Sequence, residues 1–170
     1  MSKLGIIGGS GLYNIEGLSN EKWIKVKTPW GEPSDQILEA KFAKQSFCFI
    51  PRHGRGHLIS PSNINFRANI DALKQRGVTD IISVSAVGSL KEELEPGKFV
   101  IIDQFIDRTF ARKKTFFDNE IVAHVSMAHP TSKSLMDACE SSIKKLKIPF
   151  QRGGTYVATV SYTHLRAHET

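Results

Sequence analysis

Cysteine is scarce in this 170-residue chain. Cys48 and Cys139 stand far apart, each inside an apolar segment, and no C-x-x-C pair occurs. That spacing excludes a disulfide framework, a zinc ribbon and dithiol redox chemistry, and leaves two buried, reduced thiols. Long apolar runs are also missing. None approaches the ~18 residues of a membrane-crossing helix. The opening MSKLGIIGGSG lacks the apolar region of a secretory signal. The expectation is a cytoplasmic protein that does not engage a membrane. Internal repeats, low-complexity tracts and linkers are absent too. Acidic residues are the minority charge, 17 Asp+Glu against 23 Lys+Arg, for a net charge of +6. This balance favours an anionic partner without choosing between nucleic acid and a small phosphate.

What the chain does contain is short apolar strands separated by glycine. KLGIIG, the alternating KWIKVKT, DQILEAKFA, SFCFIP, DIISVSAVGS, KFVIIDQFID and PFQRGGTYVAT all read as strands. A helix is expected to start near Ser62 or Asn63 with Ile64, Phe66, Ile70 and Leu73 on its apolar face. Gly77 lies where a helix end wants a positive φ. A second helix is expected from about Ser132 to Leu146, with Leu135, Met136, Cys139, Ile143 and Leu146 inward. Residues 107–131 have no period and read as loop. Apolar strands interleaved with helices imply an α/β layered fold.

Three loops that leave apolar strands suit an anion. The first is Gly8-Gly9-Ser10-Gly11, where glycines let backbone N–H groups converge and Ser10 adds a hydroxyl. The second is Arg52-His53-Gly54-Arg55-Gly56-His57, where a guanidinium can grip two oxygens. The third is Ser83 to Ser89, whose small residues admit a ligand close to the backbone and whose Ser85 can donate. Each loop alone is equally a tight turn. In open α/β sheets, however, ligands gather beyond the carboxyl ends of the strands, where such loops can meet.

Three other chemistries fit less well. Gly5, Gly8 and Gly11 match a dinucleotide-binding spacing, but LYNIEGLSNEKW holds no amphipathic helix of the kind a Rossmann unit needs next. His53 and His57 are four apart, yet glycines between them oppose a helical metal pair, so no metal is expected. FARKKTFF (residues 110–117) interleaves cations with aromatics as a nucleic-acid patch does, and as a solvated loop does. Nothing extends the patch. A basic nucleic-acid-binding module is therefore the lesser alternative.

GIIGGSGLY, PRHGRGH, SPSNINFRANI, SAVGSL and PGKFVIIDQFIDRT, in this order and spacing, resemble the trimeric nucleoside phosphorylases, and IIDQFIDRT resembles their S-methyl-5'-thioadenosine phosphorylase branch. The resemblance covers nearly all of residues 3–159. It implies a mixed, strongly curved central sheet flanked by helices, a homotrimer, no cofactor, and inorganic phosphate as a co-substrate beside a small-molecule nucleoside. Residues 1–159 would be the N-terminal part of a single nucleoside phosphorylase domain. Carried over by position, phosphate would be held by Ser10, Arg52, His53, Ser85 and the backbone of Ala86. His57 and His124 would lie near the 5'-methylthio pocket. The implied reaction is phosphorolysis of S-methyl-5'-thioadenosine to adenine and 5-methylthioribose 1-phosphate. A purine nucleoside phosphorylase acting on inosine or guanosine is the nearest rival.

The chain departs from that pattern after GGTYVAT, which ends at Thr159. The segments that bring the ribose-binding methionine and the purine-facing aspartates in relatives do not follow. The general acid is expected beyond Thr159, and no residue of this chain is assigned to that role. Glu92, Asp71, Asp103 and Asp107 are expected to be structural or solvated, and this truncated chain is expected to be inactive. Residues 160–170, SYTHLRAHET with the preceding Val160, resemble a translated sequencing adapter and are expected to be a non-native tail. The four-residue spacing of His164 and His168 within it carries no metal site.

Overall fold

The N-terminal apolar run becomes β1 (Leu4–Gly8), and it is apolar on both faces because core packs against each: Ile7 joins one cluster, and Leu4 and Ile6 join the other. A computed structural model describes residues 2–117 and 121–159. The tail that follows Thr159, with His164 and His168, lies outside the described residues. Two units are distinguished. One is Met1–Ala86 with Lys113–Phe116, and the other is Val87–Arg112 with Phe117–Thr170.

The first unit is built on a mixed five-stranded sheet. β2 (Leu18–Ile24), β3 (Ile37–Phe42), β4 (Gln45–Pro51), β1 and β5 (Asp80–Ser83) follow one another in the order β2-β3-β4-β1-β5. β1 is parallel to β4 and β5, whereas β3 is antiparallel to both its neighbours. Side-chain alternation along the strands divides the core in two. On one face Val26, Ile37, Cys48 and Ile50 pack with Ala72 and Leu73. On the other Leu38, Ala40, Phe47 and Phe49 pack with Leu4, Ile6, Leu12, Tyr13, Leu18 and Trp23.

Helix α1 (Phe66–Gln75) supplies Ala72 and Leu73 and buries Ala68 and Asn69 as well. It starts later than the sequence suggested. Pro61–Asn63 forms a separate 3-10 turn, and Asn65 is the cap, its side chain accepting from Ala68 N at 3.1 Å. Gly77 ends it with φ +75°. β2 also lies earlier than KWIKVKT. Its register against β3 shifts between Ser19 and Lys22, and Asn20 there takes φ +55°. A bulge of this kind slips the alternation that sequence reading relies on.

In the second unit, β6 (Phe99–Ile101) pairs in parallel with β8 (Phe150–Arg152), and β7 (Gln104–Asp107) with β9 (Thr155–Ala158). KFVIIDQFID and PFQRGGTYVAT are therefore each two strands. The break is set by Gly153 at φ +84° and Gly154 at φ +138°, and the Asp103 carboxylate accepts from Gly154 N at 3.0 Å. Thr159 follows β9 directly, half-buried and outside the strand. Helix α2 (Lys133–Lys145), capped by the Ser132 hydroxyl, lies against β8: Arg152 is bound by Asp137 and Glu140. No α2 residue is fully buried, so the inward face expected for it is only partly covered.

The strongly curved central sheet expected from the resemblance is not found. Among the described residues the five strands form an open sheet ending at β2 and β5, and the other four strands form two separate pairs. The physical reason is local. After Ser83 the chain continues in non-strand conformation, and the later strands satisfy their backbone groups with each other rather than by extending the β5 edge. The mixed character of the sheet and the helix against it do hold.

Candidate functional site

Strand register creates the site. Gly8 stands opposite Pro51, and Ile7 opposite Ser83, so β4, β1 and β5 end side by side. Two backbone bonds carry the pairing just past the strands: Arg52 N donates to Gly8 O at 2.8 Å, and Val84 N to Ile7 O at 2.9 Å. The three anion-suited loops thus leave one edge of one sheet. Gly8 is required by close approach, because a Cβ there would lie 2.7 Å from Leu12 Cδ1 and 2.9 Å from Phe49.

Arg52 crosses that edge. Its Nη1 donates to the Ser85 hydroxyl and reaches Val84 O at 3.4 Å. Its Nη2 lies over the first loop, 3.6 Å from where a Cβ on Gly9 would stand. One guanidinium from the end of β4 therefore spans β1 to the loop after β5. Since Ser85 Oγ accepts from Arg52, its own proton is left to donate outward. Ser10 opens the 3-10 turn Ser10–Leu12 on the first loop and is exposed, and Ala86 is exposed beyond Ser85.

His53 is buried at 8% exposure. Its Nδ1 faces Ile59 O at 2.8 Å, which assigns the proton to Nδ1. The other nitrogen, Nε2, then presents a lone pair to Arg52 Nε at 3.5 Å. In this tautomer His53 orients Arg52, and it donates to an anion only as imidazolium. His57 takes φ +57° and lays its ring on that of His53, centroids 4.4 Å apart. His124 is an exposed residue of the second unit. The structure thus brings Arg52, His53, His57 and Ser85 together and sets Ser10 and Ala86 on the adjoining loops. The general acid expected beyond Thr159 falls outside the described residues.

Sequence reading missed the groups that hold the second loop. Tyr13 Oη donates to Gly54 O at 3.0 Å, tying the first loop to the second. Burial pushes the Tyr13 phenol above its ordinary pKa, and the nearby Asp35 carboxylate adds to this. Asp35 accepts from Arg55 three times, from the backbone N at 2.7 Å and from Nε and Nη2 at 3.0 Å each. Burial pushes the Asp35 carboxyl up, but the Arg55 bonds outweigh it and hold it below the usual carboxylate range. No periodicity marks either residue: Asp35 follows Pro33-Ser34 in what reads as an ordinary turn.

The basic-aromatic stretch does not form a free platform. Phe116 meets Trp30 edge-on at 5.1 Å, and Thr115 O accepts from Arg67 at 3.1 Å. Among the described residues no group of three or more His, Cys, Asp or Glu side chains could hold a metal, and no helix is long and apolar enough to cross a membrane.

The family model of the Phosphorylase superfamily matches residues 3–164, so the match runs past Thr159, where the likeness to relatives was expected to stop. The S-methyl-5'-thioadenosine phosphorylase of Rhodospirillum rubrum is 60% identical over 154 residues, covering 91% of this chain and 52% of that protein. The protein of the same name from Thermofilum pendens is 52% identical over 155 residues, covering 91% and 59%. Among solved structures, methylthioadenosine phosphorylase from Schistosoma mansoni in complex with adenine superposes with a TM-score of 0.89 at 31% identity, covering 99% of this chain and 70% of that one. The chain spans about half the length of the curated relatives it matches.

Proposed function

The chain belongs to the phosphorylase superfamily, and we propose that it carries the phosphate-binding part of an S-methyl-5'-thioadenosine phosphorylase. In this reading residues 1–159 are the N-terminal part of a single nucleoside phosphorylase domain, and the whole protein is a cytoplasmic homotrimer. Orthophosphate takes the place beside Arg52, within reach of the Ser10 and Ser85 hydroxyls and the Ala86 backbone. The observation that carries the reading is the Arg52 guanidinium held across the ends of β4, β1 and β5 with its Nη1 on Ser85.

The chemistry follows from what such a cradle does. Phosphate attacks C1' of the ribose while the bond from C1' to N9 of the purine breaks, and a sugar cation develops between anion and leaving base. The electron pair of the breaking bond leaves with the purine, which needs a proton to depart as neutral adenine. No covalent intermediate with the protein is required. Holding the anion beneath C1' converts a bimolecular encounter into an oriented one. A guanidinium fixed by Ser85 and His53 keeps its direction while the anion spends charge on the cation. His57 is assigned to the 5'-methylthio end of the substrate, and His124 to the same end of the substrate bound by a neighbouring subunit.

Calorimetric titration of inorganic phosphate into the 170-residue chain tests the cradle. Binding that weakens by ~10- to 100-fold in Arg52→Ala supports it, and wild-type protein without saturable phosphate binding overturns it. Adenine release by a longer reading frame that includes the remaining family segments tests the substrate.

A further inference from the structure

We propose that Asp35 is a positioning residue for the anion site, clamping the Arg52–His57 loop through Arg55 so that Arg52 and His53 hold their direction. The inference rests on the phosphate reading above and deepens it. Arg55 is three residues along the loop from Arg52, and Asp35 engages both its backbone and the two-pronged side of its guanidinium. The guanidinium of Arg55 also lies over an aromatic face, its central carbon 4.1 Å from the centroid of the Trp23 ring.

The clamp is itself anchored. Ser34, the residue before Asp35, donates its backbone N to Asn69 Oδ1 at 2.7 Å, and Asn69 Nδ2 donates to Ser34 Oγ at 2.9 Å. Asn69 is 2% exposed and sits on α1. A buried amide on a helix, bonded through both its oxygen and its nitrogen, is a rigid support. Gly54 then lies directly on this support, since a Cβ on it would stand 2.9 Å from Ser34 O. The loop is thus held from two sides, by Tyr13 on Gly54 O and by Asp35 on Arg55.

Position and charge predict opposite signs, which makes the proposal testable. Asp35 is an anion close to a site for an anion. If its influence were Coulombic alone, Asp35→Asn would tighten phosphate binding. If it positions the loop, Asp35→Asn weakens binding, by about 5- to 10-fold for one lost coupling in a shared network. Arg55→Lys keeps every formal charge and destroys the fork, so it separates geometry from charge without touching Asp35. The experiment is calorimetric titration of inorganic phosphate into the full chain carrying Asp35→Asn, Arg55→Lys or Arg52→Ala, each checked for an intact unfolding transition.

Weaker phosphate binding in Asp35→Asn and in Arg55→Lys is the expected result. Unchanged affinity in Arg55→Lys, or equal or tighter affinity in Asp35→Asn, overturns the proposal. Should Asp35→Asn not fold, Arg55→Lys decides alone. Failure of the parent reading looks different: wild-type protein would then not bind phosphate, or Arg52→Ala would bind it as well as wild type, and the clamp would fall with it.

Discussion

At the scale of single residues, the proposed anion site rests on one guanidinium, and one carboxylate governs acid stability. Arg52 makes charge-assisted bonds that lysine cannot reproduce from one point charge. Arg52→Ala is expected to weaken phosphate binding by ~10- to 100-fold, about 1.5–3 kcal/mol, and Arg52→Lys to restore only part of it. Titration calorimetry reads both. Far from the site, Glu39 accepts from Lys3 at 2.9 Å and Arg76 at 3.0 Å, and the Arg76 bond leads in pulling its pKa down to about 2. A carboxyl depressed on folding stabilises the native state fully above its unfolded pKa of about 4.5 and loses that contribution as pH falls toward 2. With the Glu39 side chain one-quarter exposed, the contribution is ~2 kcal/mol. Urea unfolding at pH 7 and pH 3 is expected to show this loss, and Glu39→Gln to remove it. The anion-suited loops stood out in the sequence only together: each glycine-bearing exit from an apolar strand is equally a tight turn, and their co-occurrence and the family resemblance singled them out. Glu39 and Asp35 did not stand out, since a carboxylate that meets a partner 20 or more residues away carries no local mark.

At the scale of elements, α1 and the turn before β3 act together. Asn65 caps the helix and also donates to Trp30 O at 2.7 Å, while Asn69 holds Ser34. Asn65→Ala is expected to lower stability by ~1 kcal/mol through the lost cap. Gly54→Ala meets two obstacles, a φ of +70° and the close Ser34 carbonyl. Its expected cost is ~1–3 kcal/mol, with weaker phosphate binding, because relief of that contact shifts the loop carrying Arg52. Thermal unfolding and phosphate titration on the same protein check both effects. Helix and strand identities followed from apolar spacing. Boundaries moved wherever a bulge at Asn20, a 3-10 turn at Pro61–Asn63 or the glycine pair Gly153-Gly154 interrupted the period.

At the scale of the whole molecule, the second unit leaves apolar side chains in solvent, with Phe99 and Ile106 each 50% exposed and Leu146 69% exposed. Paired strands alone cannot bury them. Dye binding to exposed apolar surface and concentration-dependent light scattering are expected for the 170-residue chain, and their absence would contradict that expectation. What the sequence by itself determined is the set of apolar strands, the anion-suited loops and the family, because these depend on short-range patterns of residue type. Only the tertiary structure decided that the sheet is open, that Arg52 reaches Ser85, and that Asp35 grips the loop between them. Those outcomes depend on strand order and register, which bring together residues tens of positions apart and leave no trace in local periodicity.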